Sequence, residues 1–172
     1  MVDRTRICPG QRSSGDTSLV ALNADYIDFA FLSAARYFCV AFSDGDDKAA
    51  WVTAILGADS FFPHGSSAEK MRRALSVVQE MRISRKSIFR FSNPRCQTCS
   101  AIVTQDEKYL LQLIQAVRKG QISQAASTAM LLCEGNTTEQ LIAAAEAFVA
   151  EIADVDAGAK GLKRSRVPAM PG

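Results

Sequence analysis

The sequence predicts an all-α fold, a small bundle of about six helices joined by short turns and one irregular connection. Apolar residues recur at helical spacing along most of the chain, which is typical of helices with one buried face. Polar residues suited to helix N-caps stand before several of these stretches. The one alternating segment, SIFRFS at 87–92, has no partner strand elsewhere in the sequence. At 172 residues, 48% of them apolar, we expect a single domain.

The two ends of the chain are polar and aperiodic, and we expect them to be disordered. They span 1–22 and 157–172, the second being basic, and they leave a helical domain at 23–156. The most apolar stretch, at 29–42, carries Arg36 near its middle and is shorter than the ~20 residues of a membrane span. The N-terminal residues lack the apolar core of a secretory signal, and the cysteines are too sparse for a disulfide scaffold. We therefore expect a cytoplasmic protein with no membrane partner.

Two helices are predicted in the first third of the domain. Asn23 precedes an apolar stretch with helical spacing that runs to about Phe42. The turn SDGDD follows, and either Asp46 or Asp47 is placed to cap a short helix to Leu56. These aspartates are explained by helix capping, because the turn lacks the spacing of a calcium-binding loop.

Two capping boxes predict the starts of further helices. In a capping box, the side chains of an N-cap Ser or Thr and of a Glu three residues later bond to each other's backbone N–H groups. Ser66 and Glu69 predict a helix to about Ile83, and Thr104 and Glu107 predict a helix that ends at the next glycine.

The C-terminal part of the domain is predicted to hold two helices. Ser123 is placed to cap a helix to about Cys133, which Gly135 ends. The last helix begins after Thr137 and has the clearest amphipathic pattern in the chain. Since a short turn joins the helices over 105–119 and 124–133, we expect them to form an antiparallel hairpin.

The main candidate site is the CxxC pair in NPRCQTC at 93–99, which would need two further ligands to bind zinc. The expected hairpin brings Cys133 back near the start of the preceding helix, and Cys99 lies just before that start. His64, Cys39 or water is available as the fourth ligand. The sequence thus predicts a structural zinc site, with ligands Cys96, Cys99, Cys133 and His64.

Two other interpretations of the cysteines stay open. They are either ordinary reduced thiols or a redox pair. For redox chemistry, Arg95 favours a thiolate at Cys96, but the next predicted helix starts too late to lower its pKa. His64 has no neighbouring catalytic motif, and no GxSxG, P-loop or GxGxxG pattern is present. The sequence therefore favours a protein without enzymatic activity and identifies no small-molecule substrate.

Charge is distributed unevenly along the chain. Basic residues dominate 70–95, whereas 120–159 contains acids and no Lys or Arg. Opposed basic and acidic faces of this kind can bind a protein partner or drive self-association. The stretch at 112–131 also resembles a helix-turn-helix. The nucleic-acid-binding residues expected from that alternative are Arg82, Arg85, Lys86, Arg90, Gln124, Ser127 and Thr128.

The sequence favours a non-enzymatic regulatory or protein-interaction module, stabilised by zinc at the CxxC pair. The first alternative is a DNA-binding regulator that uses the helix-turn-helix. The second is a thiol-redox protein that uses the CxxC pair.

Overall fold

The computed structural model describes residues 14–45, 47–62 and 66–162, with side chains up to residue 153. Within these ranges the chain is helical, and the predicted all-α fold is confirmed. The helices are α1 Tyr26–Ser43, α2 Lys48–Leu56, α3 Ala58–Phe61, α4 Ser67–Ser84, α5 Gln97–Ser100, α6 Gln105–Arg118, α7 Ile122–Leu132 and α8 Glu139–Leu162. A short antiparallel pairing joins β1 Thr17–Ser18 to β2 Ile102–Val103. None of the described helices has the length and apolar character needed to cross a lipid bilayer.

The centre of the bundle is α1, which packs against α2, α3, α4 and α6. Its apolar residues lie on several faces, so most of the helix is buried, as its composition predicts. The helix starts at a capping box between Asp25 and Asp28, two residues later than the predicted cap Asn23. Asn23 instead ends a short 3-10 turn, Val20–Leu22, in the left-handed conformation with φ of 49°.

The remaining long helices form two antiparallel pairs. In the first pair, Ser66 before α4 bonds to Glu151 late in α8, and Ser84 at the end of α4 accepts from Asn136 before α8. In the second pair, Arg85 contacts both Asp106 in the first turn of α6 and the carbonyl of Leu132 at the end of α7. The predicted hairpin of α6 and α7 is therefore confirmed.

A single hydrophobic core joins these helices. Its largest fully buried side chains include Phe31, Phe38, Phe62 and Phe148. The rings of Phe31 and Phe148 lie 4.9 Å apart and link α1 to α8. Burying each such ring contributes roughly 1.5–3 kcal/mol to the stability of the core.

Several predicted boundaries differ from the structure. β1 and the 3-10 turn lie within 14–22, which we expected to be disordered, and α8 continues to Leu162, beyond the predicted boundary at 156. Residues 1–13 and 163–172 lie outside the described residues. The single-turn helices α3 and α5 were not predicted.

Candidate docking groove and its basic edge

A half-open groove of about 160 Å³ lies between α1, α4 and the loop that joins α4 to α5. We call this loop, residues 85–96, the α4–α5 loop. The groove is lined from α1 by Cys39, Phe42 and Ser43, from α4 by Val78, Met81 and Arg82, and from the loop by Arg85, Ser87, Ile88, Phe89 and Phe91. The site is therefore built by α1 together with α4 and the loop that directly follows α4, which are distant from α1 in the sequence.

The interior of the groove is apolar. Val78 and Met81 are fully buried members of the hydrophobic core, and the aromatic residues Phe42 and Phe89 pack against it. Cys39 belongs to the same surface, and burial raises the pKa of its thiol to about 12. Because this thiol is uncharged at neutral pH, it behaves there as a small apolar group rather than a nucleophile.

The α4–α5 loop is anchored by Arg85, whose side chain is largely buried. Its guanidinium donates to the carbonyl of Leu132 at 2.7 Å and lies 3.3 Å from Asp106 and 3.4 Å from Glu134. The same group lies 5.6 Å from the ring centroid of Phe89. These contacts connect the loop to both helices of the α6–α7 hairpin and fix one wall of the groove.

Glu134, just beyond α7, holds the start of the loop. Its carboxylate accepts the N–H groups of Lys86 and Ser87 at 3.0 and 3.1 Å, as well as the Ser87 hydroxyl. These hydrogen bonds, led by that from the hydroxyl, lower the pKa of Glu134 to about 2. The carboxylate is therefore charged at neutral pH and tethers the loop.

Hydrogen bonds from backbone N–H groups to carboxylates also explain why residues 87–92 do not form a strand, although their pattern alternates. The N–H of Arg90 donates to Asp106 at 2.8 Å, and the N–H of Ser92 donates to Glu107 at 3.0 Å. Because carboxylates take the backbone donors of this segment, they replace the partner strand that its pattern would need.

The edge of the groove carries positive charge. Arg82 lies over the Phe42 ring at 4.7 Å from its centroid, in cation–π geometry, and its guanidinium donates to the side chain of Gln79. Lys86 and Arg90 are exposed on the α4–α5 loop. Within the part of the chain that the structure describes, these three side chains form no ion pair. We call Arg82, Lys86 and Arg90 the basic edge.

The predicted zinc ligands are not brought together among the described residues, where no group of three His, Cys, Asp or Glu side chains could hold a metal ion. Cys133 is buried at the end of α7, and burial raises the pKa of its thiol. Cys96 keeps its thiol and caps the short helix α5, accepting the Cys99 N–H at 3.5 Å. His64 lies outside the described residues, and zinc binding stays a prediction.

The CxxC pair is not closed into a disulfide between its two members, because Cys96 is not disulfide-bonded. The redox interpretation would expect such a disulfide in the oxidised form of the pair.

The expected nucleic-acid-binding residues divide into two groups. Thr128 is buried on α7, and the Arg85 guanidinium pairs with Asp106 and Glu134, so these two side chains lie in the interior. Gln124 and Ser127 are exposed on α7, with the Ser127 hydroxyl bonded to the carbonyl of Ser123 within the helix. The remaining basic residues, Arg82, Lys86 and Arg90, are those of the basic edge.

Comparison with known proteins does not assign this site. The chain matches no family of known proteins, and neither the curated proteins nor the solved structures include a significant match. The site therefore has to be interpreted from its own geometry.

Sequence reasoning missed the apolar part of the site. Phe42, Met81 and Phe89 each belong to a segment that was recognised, but nothing local indicates that these segments meet. The run of basic residues at 82–90 was a usable signal, because it flags the basic edge directly.

Proposed function

We propose that the chain is a non-enzymatic protein-interaction module. It binds a partner protein by burying one apolar side chain of that partner in the groove. The observation that carries this proposal is the groove itself, with its apolar interior, volume of about 160 Å³ and basic edge. A cavity of about 150 Å³ lined by apolar side chains accepts a benzene-sized ring. The groove is thus large enough for one aromatic or large aliphatic side chain.

The surface around the groove favours a protein over a small molecule as the partner. Ile88 lines the groove and is 88% exposed, and Ile83, at the end of α4, is 63% exposed. Apolar surface that continues outside a pocket, with charged residues at its margin, is characteristic of protein interfaces. A buried anchor surrounded by such surface is the usual arrangement of an interaction hot spot.

The fluorescent probe 8-anilinonaphthalene-1-sulfonate tests this proposal, because it is both aromatic and anionic. In the substitution Ser43→Phe, a ring replaces a small side chain that lines the groove, so we expect probe binding to be lost. Ser76→Phe is the matched control, since Ser43 and Ser76 both lie on helices and both donate to the carbonyl four residues earlier. Ser76 does not line the groove. Equal binding by the two folded variants would overturn the proposal.

A further inference from the structure

We propose that the segment bound in the groove is acidic, with carboxylates beside its apolar anchor that pair with Arg82, Lys86 and Arg90. This inference rests on the proposed function and adds the chemistry of the partner. It follows from the distribution of ion pairs, from the position of Arg82 and from the exposed surface of α8.

All of the other described arginines form ion pairs within the protein. Arg72 and Arg73 pair with Glu69, Arg95 pairs with Asp47 at 2.7 Å, and Arg118 pairs with Asp25 at 2.6 Å. Arg36 and Arg85 are paired in the interior. Of the arginines in the described ranges, only Arg82 and Arg90 form no ion pair, and both belong to the basic edge. Positive charge is therefore left unbalanced beside the groove.

Arg82 is placed to receive a carboxylate. Its contact with the Phe42 ring holds the guanidinium at the groove, and its hydrogen bonds to Gln79 are long, at 3.2 and 3.3 Å. A guanidinium binds a carboxylate through two parallel N–H bonds, which are stronger than bonds to a neutral amide. An acidic residue next to the buried anchor would therefore replace the Gln79 contact with a stronger one.

A separate protein fits this surface better than a second copy of the chain. Glu139 and Glu146 are exposed on α8 and provide acidic charge. However, the large apolar residues exposed in the described part of the chain include none from α8. On α8 of a second copy, acidic residues are therefore exposed without the apolar anchor that the groove needs.

Fluorescence anisotropy with three short labelled peptides tests the inference. The first peptide has one Phe flanked by Asp and Glu, the second has Asn and Gln in place of the acids, and the third has Ala in place of Phe. We expect the first peptide to bind most tightly and the third not to bind. The double variant Arg82→Gln with Arg90→Gln should bind the first peptide about fivefold more weakly, as expected when two exposed ion pairs are lost.

The matched control is Arg72→Gln with Arg73→Gln, which makes the same change in net charge on α4 away from the groove. It should leave the affinity unchanged. Equal affinity for the acidic and neutral peptides, with both blocked by Ser43→Phe, would overturn the acidic partner but not the groove. If no peptide binds to the wild-type protein, the inference fails. If the wild-type protein does not bind 8-anilinonaphthalene-1-sulfonate either, the proposed function fails too.

Two further outcomes would also overturn the inference. Tighter binding of a single-stranded oligonucleotide than of the acidic peptide, with loss in the Arg82→Gln and Arg90→Gln variant, would assign the basic edge to nucleic acid. Light scattering could also show dimers that form in a concentration-dependent way and that Ser43→Phe abolishes. In that case a second copy of the chain would be the occupant of the groove.

Discussion

Arg36 and Glu107 are 71 residues apart in the chain and form a buried, two-pronged ion pair. The Nε of Arg36 donates to Oε1 at 2.7 Å, and its Nη2 donates to Oε2 at 3.0 Å. Arg36 also donates to the carbonyls of Ser100 and Ile102, at 2.7 and 2.5 Å. The pair therefore fastens α1 to α6 and to the segment that carries the CxxC motif.

Glu107 has a second set of partners. Its carboxylate accepts the N–H of Thr104 at 2.9 Å, which completes the capping box of α6, and the N–H of Ser92 at 3.0 Å. Since its polar atoms are hydrogen-bonded and its side chain is fully buried, this glutamate is a central junction of the fold. It also joins the α4–α5 loop to α6, and thus supports one wall of the groove.

Removing one member of this pair should destabilise the protein strongly. Arg36→Met leaves the Glu107 charge buried without its cation, and the loss of one partner of a buried pair costs about 3–5 kcal/mol. The free energy of unfolding, measured by urea denaturation, checks this value. Arg72→Met, which breaks a more exposed pair with Glu69, is the control and should cost less. Equal losses from the two variants would show that burial does not set the energy of these pairs.

The tether made by Glu134 should give stability that depends on pH. Its pKa in the folded state is about 2, below the ordinary 4.5, so its charged form stabilises the fold. This contribution is fully present above about pH 4.5 and is lost as the pH falls toward 2. Glu134→Gln should therefore lower stability at neutral pH, with the difference from wild type shrinking in acid.

Urea denaturation at a series of pH values measures this dependence. Glu146→Gln is the control, because Glu146 is exposed on α8 and makes none of these contacts. A gap between Glu134→Gln and wild type that stays constant down to acid pH would argue against the tether.

The turn between α6 and α7 should require glycine at residue 120. Gly120 has φ of +66°, in the left-handed region, although a Cβ at this position would meet no atom within 4 Å. Gly120→Ala should therefore cost about 1–2 kcal/mol from backbone strain alone. Gly45→Ala serves as a control, because a Cβ there also meets no atom within 4 Å and its φ is not positive. Thermal unfolding of the two variants measures the strain, and an equal loss of stability in both would contradict it.

The thiols should differ in reactivity because of burial. Cys39 and Cys133 are buried, and burial raises the pKa of each, so both should resist an aromatic disulfide reagent in the folded protein. Cys96 is half-buried and should react faster. Labelling followed by mass spectrometry identifies each site. If a chelator releases Cys133 for labelling without unfolding, a metal rather than packing protects it, as the zinc prediction would require.

Local features of the fold were predictable from the sequence. Asp47 caps α2, and Thr104 with Glu107 forms the predicted capping box of α6, because both motifs involve residues only a few positions apart. The predicted capping box at Ser66 is wrong. Its hydroxyl bonds to Glu151 on α8, and Glu69 pairs instead with Arg72 and Arg73.

The groove was beyond reach of local reasoning for a physical reason. Its shape depends on two contacts between the α4–α5 loop and the end of α7, from Arg85 to Leu132 and from Glu134 to Lys86. The contacting residues are about fifty positions apart in the sequence, and such contacts leave no periodic pattern. The basic charge is visible in the sequence, where it suggests phosphate binding. Only the structure separates Arg85, which is paired in the interior, from Arg82 and Arg90 at the edge.

The most direct test of the groove as a docking site is a titration with indole followed by two-dimensional amide NMR. Indole is a probe of suitable size and needs no partner. We predict that amide shifts will change at 39–43, 78–82 and 85–91, and that Ser43→Phe will abolish the changes while Ser76→Phe preserves them. The account would be contradicted if those amides stayed unchanged while shifts appeared on the exposed apolar face of α2, at Val52, Ile55 and Leu56.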